Sequence, residues 1–556
     1  MKKLLLFTSI LFNLNSFSQG YHIVKDLGAW PNNGVSGTNR ICLTEYNSKV
    51  YFIGTYYVNQ NPISSVLFQT DGTIAGTVPV VPSLSVTGTP LNAEGEEFLV
   101  ANNLMFFMSN SPYNGTNYGT ELWVTDGTAN GTYMVKDINS SGNGAKHMIG
   151  STGTKIYFTA TDGVSEQIWV SDGTATGTVK LTSMAISPSF WGNGHGFSVI
   201  GEKLYFHNGG TTVLTNWVTD GTVAGTYTLG TNQKQSYGIH HFVEYNNDVY
   251  YFANFGTNNN IEFYKTNGTA SGTSLVKDII TGTTGCYPQA LFTFNNKIYF
   301  IADKTNANYA GLYESDGTAN GTIFIDTLPM DRSISGVHSH AILNNELYII
   351  GGNAVSGTEL YKLVNNELIL VKDINLGSNS GISNGYYDGL TGSLHVYNNK
   401  IYFSANDGLD GYEQLWSSDG TESGTVKITQ PGNSQIESAK NMLSSSIGFF
   451  FVYRTSATAT ELFMLDNTPT SISDISKNIS FNLYPNPTKD ILHIELNTIL
   501  NDNKTVTIAN ILGEVVLTET SSGNKFSINT SNLISGVYFV TISNKGIQSR
   551  QKIIIE

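Results

Sequence analysis

The chain has 556 residues, of which 13% are charged and 12% aromatic, with 57 glycines and a formal net charge of −14. That length exceeds one ordinary hydrophobic core, so several domains or one repetitive domain are expected. The acidic balance, with no basic patch among its aromatics, excludes nucleic acid and an anionic membrane surface as partners, and the aromatic, charge-poor composition excludes a disordered chain.

Met1-Lys2-Lys3, a short apolar run and the small residues around Ser16-Phe17-Ser18 read as a secretory signal peptide over residues 1–18. The run is too short to span a bilayer and no later segment reaches the length a membrane helix needs, so no transmembrane segment is expected. Only Cys42 and Cys286 follow. They fall at different positions of their repeat units, so no disulfide is expected, and two cysteines are too few for a zinc site.

From residue 21 to 466 the chain repeats the pattern Glu121-Leu122-Trp123-Val124-Thr125-Asp126-Gly127-Thr128. Its aromatic falls at Phe68, Trp123, Trp169, Trp217, Tyr264, Tyr313, Tyr361, Trp416 and Phe463, at intervals of 46 to 55 residues. A fixed period in this range signals a solenoid, a propeller or an array. Within a unit, β-branched runs such as Tyr133–Ile138 and strands such as Lys297-Ile298-Tyr299-Phe300 alternate with turn residues, giving four short strands and no helical period. Paired asparagines, as at Asn295-Asn296 and Asn398-Asn399, suit tight hairpins that need positive φ. Asp-Gly-Thr-x-x-Gly-Thr reads as a turn with a left-handed glycine capped by Asp and Thr oxygens. Asn267 replaces the acid once, and the seventh unit exchanges the whole turn for Asn365-Asn366. A calcium ligand would not be exchanged so freely, so calcium at these aspartates is the minor reading, and no cofactor is expected.

Four antiparallel strands per unit match a propeller blade. Residues His22–Leu27 precede the first motif and resemble the strand that follows each later turn, while that strand is missing after the ninth motif. The amino-terminal strand is therefore expected to complete the last blade and close a ring of about nine four-stranded blades, with eight as the fallback count. The unit resembles the ELWxTDGT-type, hyalin-like repeats of secreted bacterial proteins, a resemblance that implies no defined chemistry.

Residues 467–478 read as a polar linker. From 479 to 556, short alternating strands separated by Gly, Asn and Ser suggest a small Ig-like β-sandwich. Tyr484-Pro485-Asn486-Pro487, Ile511-Leu512-Gly513-Glu514-Val515-Val516, Leu533–Val540 and Lys552–Ile555 closely resemble the type A C-terminal sorting domain of the type IX secretion system. The resemblance implies a translocon and a surface sortase as partners, transport across the outer membrane, and lipopolysaccharide as an anchor.

Ten residues before the Tyr of each Lys-Ile-Tyr-Phe-like strand stand His147, His195, His240 and His338, with Glu96, Gln289 and Lys440 in three other units. Ring closure would gather these side chains near one mouth of a central channel, where they could bind an anionic sugar or a metal such as zinc. The competing reading is a structural histidine serving inside each blade, as repetition unit by unit predicts. No nucleophile motif, metalloprotease motif or phosphate-binding loop is present. The expected function is a non-enzymatic binding or adhesion protein, secreted or at the cell surface, with a glycan or protein ligand. The alternative is a carbohydrate-active propeller enzyme, a glycoside hydrolase or lyase.

Overall fold

The computed structural model describes residues 21–25, 27, 43–58, 61–81, 98–185, 196–209, 213–233, 242–254, 261–282, 285–286, 288, 290–304, 310–327, 340–353, 355–382, 393–409, 411, 413–428, 440–454, 460–466, 481–496, 504–510, 515–544 and 547–556. Every regular element among them is a strand, and no helix is long and apolar enough to cross a membrane. The chain divides into two compact units, Met1–Pro469 and Thr470–Glu556.

The described residues of the first unit form nine four-stranded antiparallel sheets. Eight are consecutive in the chain, spanning residues 44–79, 99–136, 145–180, 197–233, 243–277, 290–327, 340–372 and 395–427. The second sheet is representative, with strands Leu99–Ala101, Leu104–Ser109, Glu121–Thr125 and Tyr133–Lys136. The ninth takes three strands from residues 440–465 and its fourth from Tyr21–Ile23, which pairs Tyr21 with Leu465 and Ile23 with Phe463. First strands of neighbouring sheets touch each other, so the first strand is the inner one and the fourth the outer one.

Period-2 alternation gives each sheet two apolar faces. In the third sheet Phe158 and Trp169 pack against Phe106, Leu122 and Val124 of the second. The alternate residues Tyr157, Ile168 and Val170 pack against Leu204 and Phe206 of the fourth. The same contact joins the first and ninth sheets, where Val50, Phe52, Val66 and Phe68 meet Phe450, Val452 and Leu462.

The Asp-Gly-Thr turns have the expected geometry. Gly127 has φ 92°, and Asp126 Oδ1 accepts the Thr128 N–H at 2.8 Å and the Thr128 hydroxyl at 2.7 Å. The hydroxyl and backbone of Thr128 hold the Asp126 carboxyl below its ordinary value. The paired asparagines are left-handed throughout, with φ 46° and 55° at Asn295 and Asn296 and 45° and 60° at Asn398 and Asn399.

These turns also join sheets. Lys136 Nζ donates to the carbonyl of Thr178 in the next sheet at 2.8 Å, as Lys277 does to Thr322 at 2.5 Å and Lys372 to Thr425 at 2.9 Å. Lys25, beside the amino-terminal strand of the ninth sheet, donates in the same way to Thr77 of the first at 2.7 Å. The turn glycine lies against the preceding sheet too: a Cβ at Gly268 would sit 3.3 Å from the Tyr205 hydroxyl, and one at Gly72 would sit 3.0 Å from Met464 Sδ.

The second unit has a three-stranded sheet (Phe481–Tyr484, Ile491–Leu496, Lys525–Asn529) and a four-stranded one (Lys504–Asn510, Val515–Ser521, Gly536–Asn544, Ile547–Ile555). Phe481, Leu492, Ile494, Val506, Ile508, Ile528, Val540, Ile542 and Ile553 form the core between them. Cys286 is buried and free; Cys42 lies outside the described residues.

The inter-sheet role of the turn glycine is testable. Gly420 has φ 90°, and a Cβ there would collide with the Tyr348 hydroxyl of the preceding sheet. Gly420→Ala is expected to destabilise by roughly 2–4 kcal/mol, adding overpacking to left-handed strain. Gly115 has φ 80° and nothing within 4 Å of such a Cβ, so Gly115→Ala should cost only about 1 kcal/mol. Equal losses in denaturant unfolding would remove the packing role.

Candidate functional site

Antiparallel order sorts the connections of the first unit to two opposite ends of its sheets. One end carries the links between first and second strands and between third and fourth: the Asn-Asn hairpins and the Asp-Gly-Thr turns. The other carries the links between second and third strands and those that lead into the next sheet, such as 110–120, 137–144 and 373–394. The first end repeats nearly unchanged. The second differs from sheet to sheet in length and sequence.

Of the residues expected at this second end, His195, His240, His338, Glu96 and Gln289 lie outside the described residues. Lys440 opens the inner strand of the ninth sheet, where its backbone pairs with Val452. His147 lies on the inner strand of the third sheet, opposite Thr159. Its Nε2 is 3.8 Å from Glu166 Oε1, which also accepts the Thr159 hydroxyl at 2.5 Å. His147 thus meets partners on the second and third strands of its own sheet.

Two further inner strands carry imidazoles that spacing from the Tyr did not reveal. His395 bonds Ser393 Oγ at 2.9 Å, and burial pushes it down to about 4. His340 stacks on Phe292 of the preceding sheet with centroids 3.8 Å apart, and burial lowers it too. Both are neutral at physiological pH, which suits ring packing rather than anion capture. Among the described residues no group of three or more His, Cys, Asp or Glu side chains is arranged to hold a metal ion.

The electrostatically unusual groups at this end are the motif glutamates. Glu121 and Glu359 are fully buried and Glu262 is 2% exposed. Each sits two residues before the motif aromatic, and the connection into the next sheet wraps around its carboxylate. Ile138 N–H donates to Glu121 at 3.1 Å and Ile279 N–H to Glu262 at 2.5 Å; Asn375 and Gly381 N–H donate to Glu359 at 3.3 and 2.8 Å. The closing glycine of the wrap is sterically required, since a Cβ on Gly144 would lie 2.5 Å from both Glu121 carboxylate oxygens. Across the amino-terminal seam, Leu27 N–H donates to Glu461 at 3.4 Å in the same way. Burial drives Glu121 and Glu262 up to about 8 and Glu359 to about 7, against the opposing pull of these backbone N–H groups. Sequence reasoning treated the glutamate as part of a strand label; its recurrence two residues before a buried aromatic, inside an otherwise apolar strand, was the available signal.

Residues 482–556 match the family described as the secretion system C-terminal sorting domain. The chain is a secreted or cell-surface protein, and its sorting domain implies interaction with the type IX secretion machinery. None of the curated proteins matches it. Similar solved structures include PorZ, an essential surface component of the type IX secretion system of Porphyromonas gingivalis, at 11% identity over 93% of this chain and 81% of that one, TM-score 0.25. The Dos1 propeller is 12% identical over 69% of this chain and 96% of that one, TM-score 0.38. An oligogalacturonate lyase in complex with manganese is 10% identical over 80% of this chain and 100% of that one, TM-score 0.32. With TM-scores this low, none of them bears on the activity of this chain.

Glu121→Leu strips the acceptor from the wrapped connection and leaves buried N–H groups unpaired. It is expected to destabilise the first unit by about 2 kcal/mol or more, read as a lower denaturant midpoint at unchanged slope. A neutral result would show that the wrap holds without its carboxylate.

Proposed function

We propose that this chain is a non-enzymatic binding protein whose first unit is a closed nine-bladed propeller, delivered to the cell exterior by the type IX pathway through its carboxy-terminal unit. The observation that carries the binding role is the contrast between the two sheet ends. A scaffold needs identical turns; recognition needs a surface that is not repeated, and loops on a rigid support provide it. Val164, Val355, Leu376 and Leu409 are 79–86% exposed at the variable end. Ile74 and Val223 are exposed at the repetitive end, each at the same place in a turn. Ring closure is supported by the seam, where Tyr21–Ile23, Lys25 and Leu27 take up the pairing, the lysine bond and the glutamate wrap of the other sheets.

The ligand class that suits an exported, acidic chain with apolar loop tips is a neutral glycan or a protein surface. His147, with Glu166 beside it, belongs to the scaffold in this reading, as do His340 and His395. A carbohydrate-active enzyme would require a pair of accessible carboxylates at the variable end, whereas the motif glutamates are buried inside the wrap.

Removing residues 479–556 is expected to leave a folded first unit, with its melting temperature unchanged, retained in the periplasm. Display of the truncated chain at the surface would overturn the sorting role. The first unit applied to a glycan array should retain a ligand without releasing product; turnover of a bound glycan would favour the enzyme.

A further inference from the structure

The motif glutamate has a second, unpaired side. In the second sheet Glu121 Oε1 and Asp137 Oδ1 are both buried with no hydrogen-bond donor; Glu262 Oε1 and Asp278 Oδ1 repeat this in the fifth, and Glu359 Oε2 and Asp373 Oδ1 in the seventh. Each aspartate begins the connection that wraps the glutamate, and its charge acts on that glutamate. The register that pairs Leu122 with Lys136, Phe263 with Lys277 and Leu360 with Lys372 sets each aspartate across from its glutamate, and two orphaned carboxylate oxygens in such a pair, three times over, is a pattern that random burial does not produce.

The two acids also come and go together. In the third and eighth sheets Gln167 and Gln414 hold the glutamate position. There Val179-Lys180-Leu181-Thr182 and Val426-Lys427-Ile428-Thr429 carry no aspartate. Glutamate and aspartate therefore act as a unit.

We infer that each of these three pairs holds one shared proton, with the motif glutamate as a neutral acid donating to the loop aspartate and accepting backbone N–H groups through its other oxygen. One hydrogen satisfies both orphaned oxygens and requires no space for an ion. Two carboxylates are also few ligands for a metal, whereas like charges sharing a buried site retain a proton readily. The upward shift of all three glutamates agrees with this. Other titratable groups bearing on the pairs are Cys286, Asp303 and Tyr313 near Glu262, and Tyr361 near Glu359 and Asp373. None of them brings a positive charge.

The consequence is a pH-sensitive latch on the variable end. A carboxyl raised in the folded state contributes stability that is fully present below the unfolded carboxyl range, and that stability is lost as pH rises toward about 7 for Glu359 and about 8 for Glu121 and Glu262. Above that range each pair carries two like charges, and segments 138–144, 279–282 and 374–381 should open before the sheets do.

The test compares the mature chain with its Glu121→Gln/Glu262→Gln/Glu359→Gln variant, since glutamine imitates the neutral acid as donor and acceptor. Wild type should show an infrared carboxylic-acid carbonyl band at pH 6 that weakens by pH 9 and is much reduced in the variant. Its melting temperature should fall from pH 5 to pH 9, with amide exchange rising first in the three connections, and the variant should lose most of that fall. Absence of the acid band at pH 6 would overturn the proposal. So would a wild-type melting temperature raised by calcium and lowered by EDTA, because the pair would then hold a cation. If the triple variant fails to fold, Glu359→Gln alone still decides, through loss of part of the band.

Discussion

Each sheet of the first unit has two apolar faces, and that single constraint organises the rest. A strand such as Ile156–Thr161 turns Phe158 to one neighbour and Tyr157 to the other, so a sheet with one neighbour would leave half its aromatics in water. At about 25 cal/mol per Å² of apolar surface, an uncovered face costs more than a domain's whole stability margin. Phe450, Val452 and Leu462 of the ninth sheet pack against Val50, Phe52, Val66 and Phe68 of the first, so these two sheets cover each other's apolar faces as well.

Polar groups set the register that apolar burial leaves loose. The Asp-Gly-Thr turn satisfies itself through Asp126 and Thr128, freeing its backbone carbonyl side to receive the lysine of the preceding sheet. The glutamate wrap does the same work at the opposite end, fixing the path of the chain as it leaves one outer strand for the next inner one. The second, fifth and seventh sheets are thus tied to their successors at both ends, by a lysine at the repetitive end and a carboxyl at the variable end. The connections between these ties are then open to change in length without loss of register, which is how a repetitive scaffold can carry a surface that does not repeat.

The histidine pattern illustrates a limit of reasoning by spacing. Counting back from the Tyr groups His147 with His195, His240 and His338, but the one described member lies beside Glu166 of its own sheet, its Nε2 3.8 Å from the carboxylate. Spacing along the chain reports position in the repeat. It does not report whether a side chain turns toward the sheet or away from it, because a bulge, such as the one between Ala145 and His147, resets that direction. His340 and His395 escaped the count because they stand closer than ten residues to Tyr348 and Tyr402.

The sequence by itself determined the repeat, the four strands per unit, the left-handed asparagines and turn glycines, the displaced amino-terminal strand and the sorting segment. All of these follow from short-range chemistry: two-residue alternation, residues that tolerate positive φ, and motifs contiguous in the chain. Only the tertiary structure decided that Lys136, Lys277 and Lys372 reach the next sheet's carbonyls, that Gly268 and Gly420 face a tyrosine hydroxyl, and that Glu121, Glu262 and Glu359 are enclosed with Asp137, Asp278 and Asp373. Those pairings depend on which strand ends lie side by side after folding. The 13 to 15 residues between each glutamate and its aspartate carry no sign of their distance in space.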